Sequence, residues 1–338
     1  MNRVLLAFPT QQAQAKILAP SLGARIGRLD WRRFPDGESL VAIDEDLGDA
    51  NVAILASLHH PDEMALALRF TAATAREFGA RSVGLIAPYL AYMRQDRRFQ
   101  PGESVSAPLF AKFVEETFDW LVTADPHLHR IPELASLYRI PTRRVATAPL
   151  LADWIRVHVP DAVVIGPDSE SGQWVSDIAQ RAGVPYQVLN KIRRGDRDVE
   201  VSLPAFEIAR GRTPVIVDDI VSSGRTVIET LGHLERLGLP AAICVVIHAV
   251  FADAAYERIL AAGAARIVST DSITHSSNGI SIADLLAQAS GELFGGLRAT
   301  NIDDAPATIH YGSGAVENAS PNLTVAAAAA VIATGENT

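Results

Sequence analysis

The chain has 338 residues, 48% of them hydrophobic and 20% charged, which excludes a mostly disordered chain, a collagen-like fibre and a coiled coil. Thirty Lys and Arg against 39 Asp and Glu give a formal charge of −9, so no broad nucleic-acid-binding surface is expected, although a cleft can still concentrate positive charge around a small anion. The single cysteine, Cys244, excludes an intrachain disulfide framework and suits a reducing compartment.

In chain order, short apolar runs alternate with longer amphipathic ones. The first run, 4–8, reads as a buried strand and is too short for a signal peptide. Strands are predicted at 52–58, 83–87 and 120–124, with helices at 61–78 and 106–117 between them. A polar stretch at 139–146, with Pro141 and three arginines, reads as a domain junction. Beyond it, strands are predicted at 162–165, 186–189, 214–217, 242–247 and 266–270, and helices at 148–157, 171–182, 226–237 and 254–262. Strand and helix in alternation predict two α/β domains, 1–144 and 145–295, each with a mostly parallel sheet flanked by helices. Residues 296–338 are rich in Asn, Ser, Thr, Gly and Ala and read as a partly disordered tail with one short helix at 325–334. No apolar run approaches the roughly 20 residues of a membrane span, so a cytoplasmic protein without membrane contact is expected.

The sharpest chemical signal is Pro214-Val-Ile-Val-Asp-Asp-Ile-Val-Ser-Ser-Gly-Arg-Thr226. An apolar strand ends in Asp218 and Asp219, and the loop Ser222, Ser223, Gly224, Arg225, Thr226 leads into a helix. Such a loop surrounds an anion with backbone N–H groups and hydroxyls, while two carboxylates beside it suit vicinal sugar hydroxyls. A ribose 5-phosphate group has both features. The plain alternative is a solvated acidic turn before a capped helix. Elsewhere, Arg94, Arg97 and Arg98 offer planar forks for phosphate oxygens, and Lys191, Arg193, Arg194 and Arg197 crowd one predicted hairpin with Gly195 near its turn. Asp125, His127 and His129 form an Asp-x-His-x-His run that reads as a transition-metal site in isolation, but no further ligands stand at suitable spacing, and His129 is read as a surface residue.

The 214–226 stretch resembles the binding loop for phosphoribosyl pyrophosphate (PRPP) shared by type I phosphoribosyltransferases and PRPP synthetases. Five further segments resemble the synthetases and stand in their order over roughly residues 1–290: Phe34-Pro-Asp-Gly-Glu38, Ala87-Pro-Tyr-Leu-Ala-Tyr-Met-Arg-Gln-Asp-Arg97, Asp125-Pro-His127, Ile165-Gly-Pro-Asp168 and Asn190-Lys-Ile-Arg193. The resemblance implies two tandem phosphoribosyltransferase-like domains and a ribose-phosphate diphosphokinase using ATP, ribose 5-phosphate and Mg²⁺. It implies ATP contacts from Phe34, Asp36, Glu38, Arg94, Gln95, Arg97 and His127, and metal ligation by His127 and Asp168, with Asp125 in support. It implies sugar-phosphate contacts from Asp218, Asp219, Ser222, Ser223, Gly224, Arg225 and Thr226, and catalysis by Lys191 and Arg193 on a mobile flap. Because the Phe34–Glu38 segment of such enzymes reaches a neighbouring subunit's site, it also implies a homo-oligomer. The sequence departs from the common pattern at Leu128-His-Arg130 and at Arg225. A phosphoribosyltransferase and a catalytically inactive synthetase-like regulator are the alternatives.

Overall fold

The computed structural model describes residues 2–168, 171–189, 191–194, 198–201 and 206–294. The expected tail helix, and Arg197 and Gly195 of the basic hairpin, lie outside the described residues. The first half runs β1 (Arg3–Ala7), α1 (Gln12–Leu22), β2 (Arg25–Gly27), β3 (Leu29–Arg33), β4 (Ser39–Ile43), β5 (Asn51–Leu55), α2 (Pro61–Glu77), β6 (Ser82–Ala87), α3 (Ser106–Thr117), β7 (Leu121–Ala124) and β8 (Thr142–Val145). The second runs α4 (Ala148–His158), β9 (Ala162–Gly166), α5 (Gly172–Ala182), β10 (Tyr186–Val188), β11 (Lys191–Arg194), β12 (Asp198–Val201), α6 (Phe206–Ala209), β13 (Thr213–Ile220), α7 (Arg225–Arg236), β14 (Ile243–His248), α8 (Ala255–Ala261), β15 (Arg266–Thr270), β16 (Asn278–Ile280) and α9 (Ala283–Leu293).

Two six-stranded sheets carry this order, β2-β1-β5-β6-β7-β8 and β10-β9-β13-β14-β15-β16, and every pairing within them is parallel. Both faces of each sheet are covered, so central strands are largely apolar and feed opposite cores with alternate residues. In β1, Val4 and Leu6 enter one core and Leu5 and Ala7 the other. In β13, Val215 and Val217 face one core and Ile216 the other. Close approach is enforced at Gly84 of β6, where a Cβ would stand 1.8 Å from Trp120 Cε2.

The structure differs from the sequence expectations at three places. The 139–146 junction contains β8, whose Arg143 and Arg144 are exposed on a sheet edge. Charged edge positions conceal a strand from a search for apolar runs. Residues 283–293, placed in the second half but without a predicted helix, form α9 and pack on the first sheet, where Ile282, Leu286 and Phe294 join Leu5, Leu18 and Trp120. Helix α1 was also not anticipated, since Pro20 sits in its last turn and small alanines blur its apolar face. The two halves are tied by Ser57, whose hydroxyl donates to the Ser272 carbonyl at 2.5 Å, and by Thr274, whose hydroxyl donates to the Thr10 carbonyl at 2.8 Å. Two ribbons stand apart from the sheets: β3–β4 and β11–β12, both antiparallel. No helix among the described residues is long and apolar enough to cross a membrane.

Candidate active site

Parallel strands end on the same side of a sheet, and open α/β sheets bind ligands outside those carboxyl ends. In the second sheet Asp168 follows β9, Lys191 follows β10 within a few residues, and Asp218 and Asp219 close β13. In the first sheet the 88–99 segment follows β6 and the 125–130 segment follows β7. The two edges meet around a cavity of about 290 Å³ lined by Arg94, His127, Asp168, Asp218, Asp219 and Thr226, all expected from the sequence, together with Phe99, His129, Arg130, Ser171 and Trp174. A larger cavity of about 520 Å³ adjoins it and shares His129, Arg130, Trp174 and Asp219.

The 222–226 loop is shaped by backbone bonds. Phe251 N–H donates to the Val221 carbonyl at 2.8 Å, Ala252 N–H to the Ser222 carbonyl at 3.1 Å, and Arg258 Nη2 to the Ser223 carbonyl at 3.1 Å. Gly224 has φ +71° and opens α7, whose first N–H groups therefore face the loop. At that φ a side chain is strained, and a Cβ would also lie 2.9 Å from Ile259 Cδ1. Gly224→Ala is expected to cost about 1–2 kcal/mol of stability by chemical denaturation and to weaken phosphate binding by calorimetry at least about 10-fold.

Asp219 is the hub of the site. His127 Nδ1 lies 2.7 Å from its Oδ2 and His129 Nε2 lies 3.8 Å from the same oxygen. Burial alone would raise the Asp219 carboxyl, but the hydrogen bonds from His127 and His129 overcome it and hold the group well below the usual carboxylate range. Asp218 goes the other way: burial first, then the charges of Asp219 and Asp168, push its carboxyl well above 3.8. Adjacent carboxylates thus differ in charge at a given pH, and the Asp219 N–H donates to Asp218 Oδ1 at 3.0 Å. A raised carboxyl retains a proton that the unfolded chain releases, so this group erodes stability as pH climbs from the ordinary carboxylate value to the raised one. Asp218→Asn removes that loss, and its unliganded melting midpoint at pH 8 is expected to exceed the parent's by about 2–4 °C, while sugar-phosphate binding falls.

Other expected residues stand elsewhere. Gln95 donates from Nε2 to Glu103 Oε2 at 3.0 Å, and the Arg97 guanidinium lies 5.0 Å from the Phe99 ring centroid. Neither lines the cavity. Phe34, Asp36 and Glu38 form the tip of the β3–β4 hairpin. Phe34 N–H donates to the Glu38 carbonyl at 2.8 Å, Asp36 Oδ1 accepts from Glu38 N–H at 3.2 Å, and Phe34 is exposed with the Arg32 guanidinium 4.7 Å from its centroid. They line neither cavity of their own chain. Lys191 and Arg193 occupy alternate positions of β11, paired with Val201 and Val199 of β12. Ser223 and Arg225 are exposed. Asp125 lines the larger cavity with its oxygens already engaged: Oδ2 accepts from Thr147 N–H at 2.6 Å and from the Thr147 hydroxyl at 2.7 Å, and Oδ1 accepts from Arg144 at 2.9 Å. It braces the loop rather than presenting an oxygen to a metal.

The sequence placed His129 on the surface and gave Arg130 and Trp174 no role, whereas all three line the cavity. For His129 a signal existed, since alternate residues of an extended loop share a side and His127 was already assigned. Arg130 is oriented by Asp96, which takes two hydrogen bonds from its Nη1 at 3.1 and 3.2 Å. Nothing local announces that pairing across 34 residues. Trp174 lies in the first turn of α5, where a tryptophan reads as core. As donors for a divalent ion, the carboxylates of Asp168, Asp218 and Asp219 with one imidazole fit Mg²⁺, which prefers oxygens and keeps several waters.

The comparisons agree with this architecture. The family profile described as "Phosphoribosyl transferase domain" matches residues 142–280. The profile "N-terminal domain of ribose phosphate pyrophosphokinase" matches residues 4–117. A solved phosphoribosylpyrophosphate synthetase from Mycobacterium smegmatis superposes with a TM-score of 0.75 at 24% identity, over 87% of this chain and 99% of that one, which shows a shared fold. The protein is therefore an α/β protein of two phosphoribosyltransferase-like halves. A ribose-phosphate pyrophosphokinase of Methanopyrus kandleri is 35% identical over 86% of this chain and 100% of its own length. One from Halobacterium salinarum is 30% identical over 85% and 100%. The chain belongs to the ribose-phosphate pyrophosphokinase family.

Proposed function

We propose that this protein is a ribose-phosphate diphosphokinase, transferring the β,γ-diphosphate of ATP to the anomeric hydroxyl of ribose 5-phosphate to give PRPP and AMP. The observation that carries the reading is one cavity walled on one side by Arg94 and His127 and on the other by Asp168, Asp218, Asp219 and Thr226. A nucleotide triphosphate has its cationic partners on the first side, and a sugar phosphate its loop and carboxylates on the second.

In this reading the 222–226 loop and the α7 N-terminus hold the 5-phosphate, and Asp218 and Asp219 orient the 2- and 3-hydroxyls. Arg94 holds the triphosphate, with Gln95 and Arg97 close along the chain. The anomeric oxygen attacks the β-phosphorus, the bond from that phosphorus to the α-phosphate oxygen breaks, AMP departs, and the hydroxyl proton is released. Holding both partners in line supplies much of the acceleration, because little else is covalent. Lys191 and Arg193 offset charge on the transferring group. His127 and Asp168 would hold Mg²⁺, which when bound neutralises and orients phosphate oxygens.

The hairpin tip of Phe34, Asp36 and Glu38 is assigned to the adenine side of a second copy's site, so the enzyme acts as a homo-oligomer, and in the cytoplasm. What supports this is the exposure of Phe34 at the tip of a ribbon that joins neither sheet. Phe34→Ala and Lys191→Ala proteins are each expected to be impaired. Mixed and co-refolded, they should recover up to about a quarter of parental activity per site, since some sites draw both intact halves. Recovery no greater than the sum of the separate activities would place the tip in its own subunit's site or in none.

The direct test is a Mg²⁺-dependent reaction with ATP and ribose 5-phosphate, following AMP and PRPP by chromatography. Equal, sugar-dependent formation of both is expected. Absence of AMP while both ligands raise the melting midpoint would favour the inactive-regulator alternative.

A further inference from the structure

His127 and His129 alternate along the segment after β7, and the fold turns both imidazoles toward the same carboxylate. Their ring centroids are 3.9 Å apart at an interplanar angle of 66°. Asp219 Oδ2 lies 2.7 Å from His127 Nδ1 and 3.8 Å from His129 Nε2, and the potential ligand atoms of the three residues all fall within 4.8 Å of one another. A transition-metal dication with bonds of about 2.0–2.2 Å spans donors about 3–4 Å apart, so small side-chain rotations gather this set around one ion. The side chains are 15%, 20% and 21% exposed, which leaves one side open to the cavity for water or phosphate oxygens. The set joins two parts of the fold, since His127 and Asp219 are 92 residues apart.

The donor chemistry is informative. Mg²⁺ takes oxygens and dehydrates reluctantly, whereas imidazole suits cobalt, nickel and zinc. An ion held by one imidazole and several carboxylates remains within reach of magnesium. A second imidazole in the same shell shifts the balance. We propose that His127, His129 and Asp219 form a two-histidine, one-carboxylate centre that takes a first-row transition-metal dication of the Co²⁺ and Zn²⁺ class in preference to Mg²⁺. Such an ion is held by the protein alone, before any nucleotide arrives, unlike one that enters bound to a triphosphate. The centre shares His127 with the proposed nucleotide site and Asp219 with the proposed sugar site but requires no substrate.

The test is a titration of the untagged, metal-free full chain with Co²⁺ near neutral pH, without nucleotide or sugar, read by visible d–d absorption. A saturable band at one equivalent is expected, displaced by Zn²⁺ and retained in a large excess of Mg²⁺. His129→Asn should weaken Co²⁺ binding at least about 10-fold, with its fold checked by circular dichroism. His129→Asp keeps three donors but replaces an imidazole by oxygen, and should narrow the preference for Co²⁺ over Mg²⁺. Loss of the band to stoichiometric Mg²⁺, or equal Co²⁺ affinity in the parent and both variants, would overturn the proposal. Because no substrate is present, that result leaves diphosphoryl transfer standing. Conversely, a chain that forms no AMP yet binds Co²⁺ through His129 leaves the metal centre standing.

Discussion

Replacing Lys191 by alanine is expected to lower turnover about 10³-fold while leaving the KM for ribose 5-phosphate within about 3-fold. The sugar phosphate is assigned to the 222–226 loop and the β13 carboxylates, which this substitution does not touch. The lysine sits on β11, which starts just beyond β10 on the edge where Asp168 and Asp218 also emerge. The chain is anchored up to that point: Leu189 is buried, and its N–H donates to the Gly166 carbonyl at 2.8 Å. Beyond it the ribbon pairs only with itself among the described strands. A cation delivered on such a ribbon acts on charge that develops during transfer, and losing one such group costs about 10²–10³ in turnover where it is aimed at the reacting centre. An interaction made mainly in the transition state lowers kcat and kcat/KM together. Single-turnover quench-flow with preloaded ATP is the measurement, since it isolates transfer from product release. An unchanged transfer rate would remove the ribbon from the chemistry.

Asp219→Asn is expected to reduce kcat/KM at least about 10³-fold with a melting midpoint within about 5 °C of the parent. The carboxamide is nearly isosteric, so the loop and the strand end are preserved. What changes is charge. Asp219 is the shared partner of His127 and His129, and it is held ionised despite burial. Removing its charge leaves two imidazoles facing a neutral amide, withdraws an anionic donor from the cation site and leaves Asp218 as the only acid of the pair. Asp218 should respond as well: one of the charges that raise its carboxyl is gone, so its titration should move toward the ordinary carboxylate value. Following both carboxyls by NMR or infrared difference spectroscopy checks that electrostatic account separately from the kinetics.

The contrast between Asp218–Asp219 and His129 shows what was legible in the primary structure. Two acids at the end of an apolar run, followed by a Gly-containing loop, form a contiguous signal, and the folded chain keeps it contiguous: β13 closes at Ile220 and α7 opens at Arg225. The central strands were equally legible. A strand buried on both faces is nearly all apolar, as in β9 and, after Asn51, in β5. Edge strands β2 and β8 were not, because they are only three and four residues long and mostly exposed, so neither carries an apolar run. Phe34, Asp36 and Glu38 illustrate a different limit. The resemblance assigned them to ATP, but Gly37 with φ +92° makes the segment a hairpin tip, bonded to itself and away from the cavities of its own chain.

Composition, apolar periodicity and ordered local motifs were enough to specify a doubly covered parallel α/β architecture, the phosphate loop and the family resemblance, because each of those properties resides in consecutive residues. Only the assembled chain decided that α9 returns to the first sheet, that Asp125 braces Thr147 and Arg144, that Asp96 aims Arg130, and that His129 meets Asp219. Those pairings join residues tens to hundreds of positions apart. Their energy is realised only when two sheets present their carboxyl ends to one another, and no local propensity encodes that distance.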